Sequence, residues 1–98
     1  MTSKKERWVI SKISNSARKN IETLDIKVQE KIISRLEHLQ KNPFGGEVRK
    51  VQGKKNIFRE KVDDYRLYFR IIPKSRTIEI VLFDYRGKIK KKTIQRLS

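Results

Sequence analysis

Phe58-Arg-Glu-Lys-Val-Asp-Asp-Tyr-Arg-Leu-Tyr-Phe-Arg-Ile71 is the segment that decides the fold of this 98-residue chain. Apolar and polar side chains alternate on both sides of Asp63-Asp64, a pattern typical of two half-buried strands joined by a two-residue turn. A turn of that length fixes the pairing, so we expect Lys61 to lie directly opposite Arg66. The segment therefore predicts an antiparallel hairpin with two cations side by side.

The same alternation sorts the hairpin side chains onto two faces. The apolar residues Val62, Leu67, Phe69 and Ile71 are expected to pack against helices. The opposite face is expected to be uncovered and to carry Arg59, Lys61, Arg66, Tyr68 and Arg70. Like charges placed directly opposite destabilise a sheet, so this face is suited to an anion that neutralises them. A solvated surface whose long cationic side chains splay apart is the alternative.

Outside the hairpin, the sequence predicts two helices before the strands. Asp25 is positioned to begin a helix over Ile26–Lys41, and Pro43 disfavours helical backbone at the residue before it. The apolar stripe of this helix, Val28, Ile32, Leu36 and Leu39, is expected to lie in the core. Strands are predicted at Arg7–Lys12, Val48–Val51, Ile57–Val62, Tyr65–Ile72 and Thr77–Asp84, with a first helix from Ser14 to about Thr23. The tail, Gly87–Ser98, is expected to form a short basic helix. The order is β-α-α-β-β-β-β, a single α+β domain over residues 1–98 with a helical hairpin on one face of an antiparallel sheet.

Charge and composition narrow the function. Lysine and arginine number 26 against 11 acidic residues, a formal net charge of +15. Residues 48–98 hold 16 of these cations and only 5 acids, which predicts a polyanionic partner: nucleic acid, an acidic protein or an anionic membrane surface. Tyr68 among the cations favours nucleic acid, because a ring can stack on a base while arginine holds phosphates.

Several site classes are excluded by the residue inventory. The chain has no cysteine and one histidine, so thiolate zinc sites, Cys nucleophiles and multi-histidine metal sites are ruled out. We expect no metal and no cofactor. No apolar run is long enough to span a membrane and no secretory signal is evident, so the expected compartment is the cytoplasm. The sequence is compatible with RNA cleavage without a metal, because the RNA 2′-OH is an internal nucleophile next to its own phosphodiester. A lysine crowded by arginines is disfavoured in its charged form and could act as the base.

The chain resembles the RelE/ParE toxin superfamily across about residues 8–92. The resemblance rests on Asp25–Ile32 (DIKVQEKI), Asn42–Gly46 (NPFGG) and above all Phe58–Ile71 (FREKVDDYRLYFRI). It implies a type II toxin held by an antitoxin, which we expect to be acidic or amphipathic. RelE-like members cleave mRNA in the ribosomal A site without a metal, whereas ParE-like members inhibit DNA gyrase.

The resemblance also assigns residues. Arg59 and Lys61 match the basic pair that supplies the base and phosphate contacts, Arg66 matches the phosphate-stabilising arginine, and Arg86 matches the general acid or leaving-group stabiliser. Lys92 stands where RelE-like toxins carry a tyrosine. Further contacts to nucleic acid are expected from Tyr68, Arg70, Tyr85, Lys88, Lys90, Lys91 and Lys92.

Three functions follow as hypotheses. The first is a ribosome-dependent mRNA endonuclease with mRNA and the ribosome as partners. The second is a non-enzymatic, ParE-like gyrase inhibitor. The third is a module that binds RNA or the ribosome without cleaving, which Lys92 in place of tyrosine would favour.

Overall fold

A five-stranded sheet, with two helices on one face and the C-terminal segment on the other, forms the framework of the computed structural model, which describes residues 7–97. The elements are β1 Val9–Ile13, α1 Asn15–Glu22, α2 Ile26–Lys41, β2 Arg49–Lys50, β3 Ile57–Val62, β4 Tyr65–Ile72, β5 Thr77–Tyr85, a 3₁₀ turn Arg86–Lys88 and α3 Lys91–Gln95. The predicted α+β class, the element order and the short C-terminal helix are confirmed. No helix within residues 7–97 has the length and apolar character needed to cross a bilayer.

The strands follow the order β1-β5-β4-β3-β2 across the sheet. β2 to β5 pair antiparallel, as predicted, whereas β1 runs parallel to β5 and makes the sheet mixed. Ser14 fixes this edge, because its N–H donates to Ile80 O (2.9 Å) and its hydroxyl to Val81 O (3.2 Å). The direction of β1 depends on these contacts with β5, which no local pattern reports.

The two long helices begin and end largely where the sequence signals lie. The Ser14 hydroxyl accepts a hydrogen bond from Ala17 N–H (3.2 Å) and caps α1. Asp25 precedes α2 without a side-chain cap, and Asn42 is extended (φ −157°) ahead of Pro43. Both helices bury their apolar stripes in the main core.

That main core lies between the helices and the sheet. Ile32 and Leu39 of α2 are fully buried there with Leu67 and Phe69 of the hairpin, as the helical stripe predicted. A row of four aromatic rings adjoins this core. Trp8 contacts Phe44, Phe44 contacts Phe58 and Phe58 contacts Phe69, with ring centroids 5.8 to 6.3 Å apart.

A second, smaller core occupies the other face of the sheet. Val51, Ile57 and Tyr68 are buried beneath three apolar side chains of the C-terminal segment, Ile89, Ile94 and Leu97. Lys54 Nζ donates to the carbonyls of Gln95 and Leu97 and ties this segment down. The expectation of an uncovered face is therefore wrong for its middle, because the tail supplies its own apolar stripe.

Candidate nucleic-acid interface

The β3–β4 hairpin has the pairing that the two-residue turn predicted. Lys61 lies opposite Arg66, and Arg59 lies opposite Tyr68. Asp63 adopts a left-handed backbone (φ 56°), a conformation that aspartate tolerates better than most residues. The turn chemistry thus sets two cations side by side at the end of the sheet nearest the turn.

A cluster of four cations occupies this end of the face away from α1 and α2. Arg49 of β2 lies opposite Arg59 and extends the Lys61–Arg66 pair across a third strand. A cleft of about 90 Å³ opens between Glu47, Arg49, Arg59 and Lys61. Arg49 is not among the site residues predicted from the sequence, although the predicted strand Val48–Val51 contains it. We call Arg49, Arg59, Lys61 and Arg66 the cation cluster.

Most of this positive charge is not neutralised by the protein itself. Within residues 7–97, neither Arg59 nor Lys61 takes part in an ion pair. Arg66 uses Nη1 to donate to Tyr65 O (3.1 Å), a backbone carbonyl on its own strand. Lys61 is exposed, so an anion can reach it from solvent. The cation cluster is therefore suited to hold a phosphate group.

Arg86 lies at the same end of the molecule as the turn. Its N–H donates to Asp64 O (2.8 Å), and its Nε lies 3.9 Å from Asp64 Oδ1. Both side chains are more than half exposed, so this ion pair is weak. The backbone hydrogen bond brings Arg86 to the hairpin end that carries Lys61 and Arg66.

Two residues predicted for base or phosphate contacts are engaged inside the protein. Tyr68 is only 5% exposed and belongs to the second core, so its ring has no face open for stacking. Arg70 is half-buried and forms an ion pair with Glu79 across β4 and β5. Their assignment to an exposed face is corrected, because the C-terminal segment and a cross-strand carboxylate cover that region.

The other predicted contacts are accessible. Tyr85 is 42% exposed and pairs with Tyr65, whose ring it meets edge to face at 6.0 Å, so it lies on the side of α1 and α2. The lysines of the C-terminal segment are all exposed: Lys88, Lys90, Lys91 and Lys92. Their roles in binding stay predictions.

Glu60, between Arg59 and Lys61 in sequence, points to the opposite side and is 4% exposed. Its Oε2 lies 3.4 Å from Arg35 Nε on α2, while its Oε1 is buried without a hydrogen-bond partner among residues 7–97. Burial raises the pKa of Glu60, an effect that Arg35 and His38 oppose and Glu47 reinforces. Glu60 is not among the site residues predicted from the sequence. The alternation of β3 could have indicated it, because it places a carboxylate on the face that packs against the helices.

No three His, Asp or Glu side chains within residues 7–97 are grouped so that they could hold a metal ion. The chemistry available at the cation cluster is that of guanidinium and ammonium groups, with the Glu47 carboxylate beside them in the cleft.

Comparisons with known proteins place the chain in a family. Residues 12–89 match the model of the ParE toxin of the type II toxin–antitoxin system parDE. The chain belongs to this family. It is a toxin of the RelE/ParE superfamily, which confirms the resemblance seen in the sequence. No curated protein sequence matches it significantly.

Solved structures with the same fold come from archaea and bacteria. RelE in the RelE–RelB complex of Pyrococcus horikoshii OT3 superposes with a TM-score of 0.73 at 22% identity, covering 85% of this chain and 99% of that one. The toxin–antitoxin complex RelBE2 of Mycobacterium tuberculosis gives 0.70 at 18%, covering 84% and 94%. The isolated E. coli RelE toxin gives 0.69 at 16%, covering 92% and 97%. At these identities the likeness establishes the fold alone.

Proposed function

We propose that this toxin is a metal-free endoribonuclease that cleaves mRNA in the ribosomal A site. The observation that carries the proposal is the cation cluster, in which Lys61 and Arg66 face each other beside Arg59 and within reach of solvent. A site dominated by cations suits a substrate that brings its own nucleophile, as the RNA 2′-OH does. The expected compartment is the cytoplasm, where mRNA is translated.

In the proposed cleavage of the RNA backbone, each residue has a separate role. The 2′-oxygen attacks the adjacent phosphorus, and the P–O5′ bond breaks to leave a 2′,3′-cyclic phosphate and a 5′-hydroxyl. Lys61 takes the 2′-OH proton, since it is exposed to solvent and lies on the same face as Arg59 and Arg66, which hold the phosphate beside it. Arg59 and Arg66 bind the phosphoryl oxygens as negative charge builds up on them. Arg86 stabilises or protonates the departing 5′-oxygen.

We also propose a cognate antitoxin as partner. Two of the structural relatives were solved as complexes with antitoxins, RelE–RelB and RelBE2. A formal charge of +15 favours an acidic or amphipathic chain as the neutralising partner.

A second function is favoured by the family model itself, which describes a ParE toxin. In that case the cation cluster would contact DNA gyrase, and no bond would be cleaved. A third, binding of RNA or the ribosome without cleavage, is favoured by Lys92 in place of the tyrosine.

The test adds purified toxin to a translating ribosome system and maps mRNA ends by primer extension. Wild type should cut within A-site codons. Lys61→Met should lower the rate by about 100-fold or more, the usual contribution of a general base. Lys74→Met removes the same charge at an exposed position in the β4–β5 turn and should cut normally.

The alternatives give different results. Inhibition of gyrase supercoiling with intact mRNA would establish the ParE-like function and refute the nuclease. Ribosome binding without cuts, weakening steeply as salt is raised, would establish the non-cleaving module.

A further inference from the structure

The Glu60 carboxylate lines a cavity that the proposed chemistry does not use. The cavity holds about 270 Å³ between the end of α2, the loop 42–48 and β3. Glu60, His38, Arg35 and Glu47 are among the residues that line it. Oε1 of Glu60 is buried and has no hydrogen-bond partner among residues 7–97. A buried carboxylate oxygen in that state favours a ligand that donates a hydrogen bond.

The cavity has the properties of a site for one planar ring. Its volume lies just under the range of about 300–1,000 Å³ that drug-sized ligands occupy. His38 is exposed at its rim, and Arg35 is partly exposed. Imidazole and guanidinium planes are both surfaces on which nucleobases stack.

This cavity adjoins the cation cluster across the margin of the sheet. β2 pairs with β3 only as far as Arg59, so the outer edge of β3 has no strand beside it at Glu60 and Lys61. Glu47 lines both the cavity and the cleft of the cation cluster. Because Glu60 and Lys61 are adjacent, a nucleotide crossing this edge can place its phosphate on one side and its base on the other.

We propose that the Glu60 cavity binds a nucleobase with an exocyclic amino group, and so selects cytosine over uracil in the RNA at the cation cluster. The inference rests on the proposed action on RNA. The cytosine N4 amino group donates to the Glu60 carboxylate, a pairing that carboxylates make with this base. Uracil presents a carbonyl oxygen at the same position, which the carboxylate repels.

The test measures binding of 2′-O-methyl pentamers of cytidine and of uridine by fluorescence anisotropy. The blocked 2′-oxygen cannot attack, so binding is measured apart from cleavage. Wild type should bind the cytidine pentamer about 10-fold more tightly, within the discrimination expected of a specific base contact. Glu60→Gln should bring the two affinities within about 2-fold, since an amide can donate as well as accept. Glu37→Gln, an exposed carboxylate on α2, should keep the wild-type ratio.

A second measurement does not depend on the folding of a variant. His38 is the chain's one histidine, so its ring gives a single set of NMR signals. CMP should shift these signals in wild type at concentrations at which UMP does not.

Other outcomes overturn the proposal in distinct ways. Equal binding of both pentamers by a toxin that cuts mRNA refutes the base pocket and leaves the nuclease standing. Equal weakening of both pentamers by Glu60→Gln assigns Glu60 a structural role only. Shifts of the His38 signals by arginine amide but not by CMP would make the cavity a socket for a basic side chain of a protein partner. A toxin that neither cuts nor binds RNA removes both proposals together.

Discussion

Replacing Lys61 by methionine should stabilise the protein while it slows the proposed cleavage. Lys61 lies directly opposite Arg66, and Arg59 precedes Lys61 by two positions on the same face of β3. Directly opposed like charges cost from a few tenths to about 1 kcal/mol, and exposure of Lys61 favours the lower half of that range. We therefore expect the free energy of unfolding to rise by about 0.5 kcal/mol, or about 2–4 °C in Tm for a chain of this size.

Salt separates this repulsion from other effects of the substitution. Urea denaturation at low ionic strength should show the full gain for Lys61→Met. At about 1 M salt the Debye length falls to about 3 Å, and the gain should largely disappear. Methionine keeps most of the aliphatic length of lysine, so lost packing contributes little.

Lys74→Met is the matched control, since it removes the same charge at the opposite end of the hairpin. It should gain less stability than Lys61→Met at low salt. A gain for Lys61→Met that is no larger than that of the control, or one that persists unchanged at high salt, would refute the reasoning that the two hairpin cations repel each other.

Three further predictions concern Tyr68, Lys54 and Glu60. Tyr68→Ala should lower the free energy of unfolding, measured by urea denaturation, by about 3–5 kcal/mol, because the substitution removes a large buried ring. The same substitution at an exposed stacking position would lower it by less than about 0.5 kcal/mol. Lys54→Met should lower the free energy of unfolding by about 1 kcal/mol and speed amide hydrogen exchange over residues 91–97, because no ammonium then donates to the carbonyls of Gln95 and Leu97. Exchange rates equal to those of wild type would contradict this. Burial raises the pKa of Glu60 above 4.5, so the unfolded chain releases this proton at a lower pH than the folded protein does. The free energy of unfolding of wild type should therefore fall as pH rises from the pKa of the unfolded chain to that of the folded protein. Glu60→Gln should lack that loss, and unfolding free energies of both proteins at about pH 4 and pH 7 test it; parallel curves would contradict it.

Local rules in the sequence determined the hairpin and therefore the Lys61–Arg66 pair. A two-residue turn leaves a single pairing for its strands, and the period of two then assigns each side chain to a face. The helical stripe of α2 likewise predicted Ile32 and Leu39 in the core, because 3.6-residue spacing places them on one side. The same alternation could have indicated Arg49 as a neighbour of Arg59.

Contacts between distant segments decided what these rules leave open. The parallel pairing of β1 with β5 joins segments more than 60 residues apart, and the C-terminal segment buries Tyr68 by folding back across the sheet. Alternation assigns a residue to a face but does not report what covers that face, so Tyr68 and Arg70 were expected in solvent. Glu60 shows the same limit, since an inward carboxylate comes to line a cavity only when α2 and the loop 42–48 pack against β3. Burial is set by the sum of such long-range contacts, and no single stretch of sequence contains it.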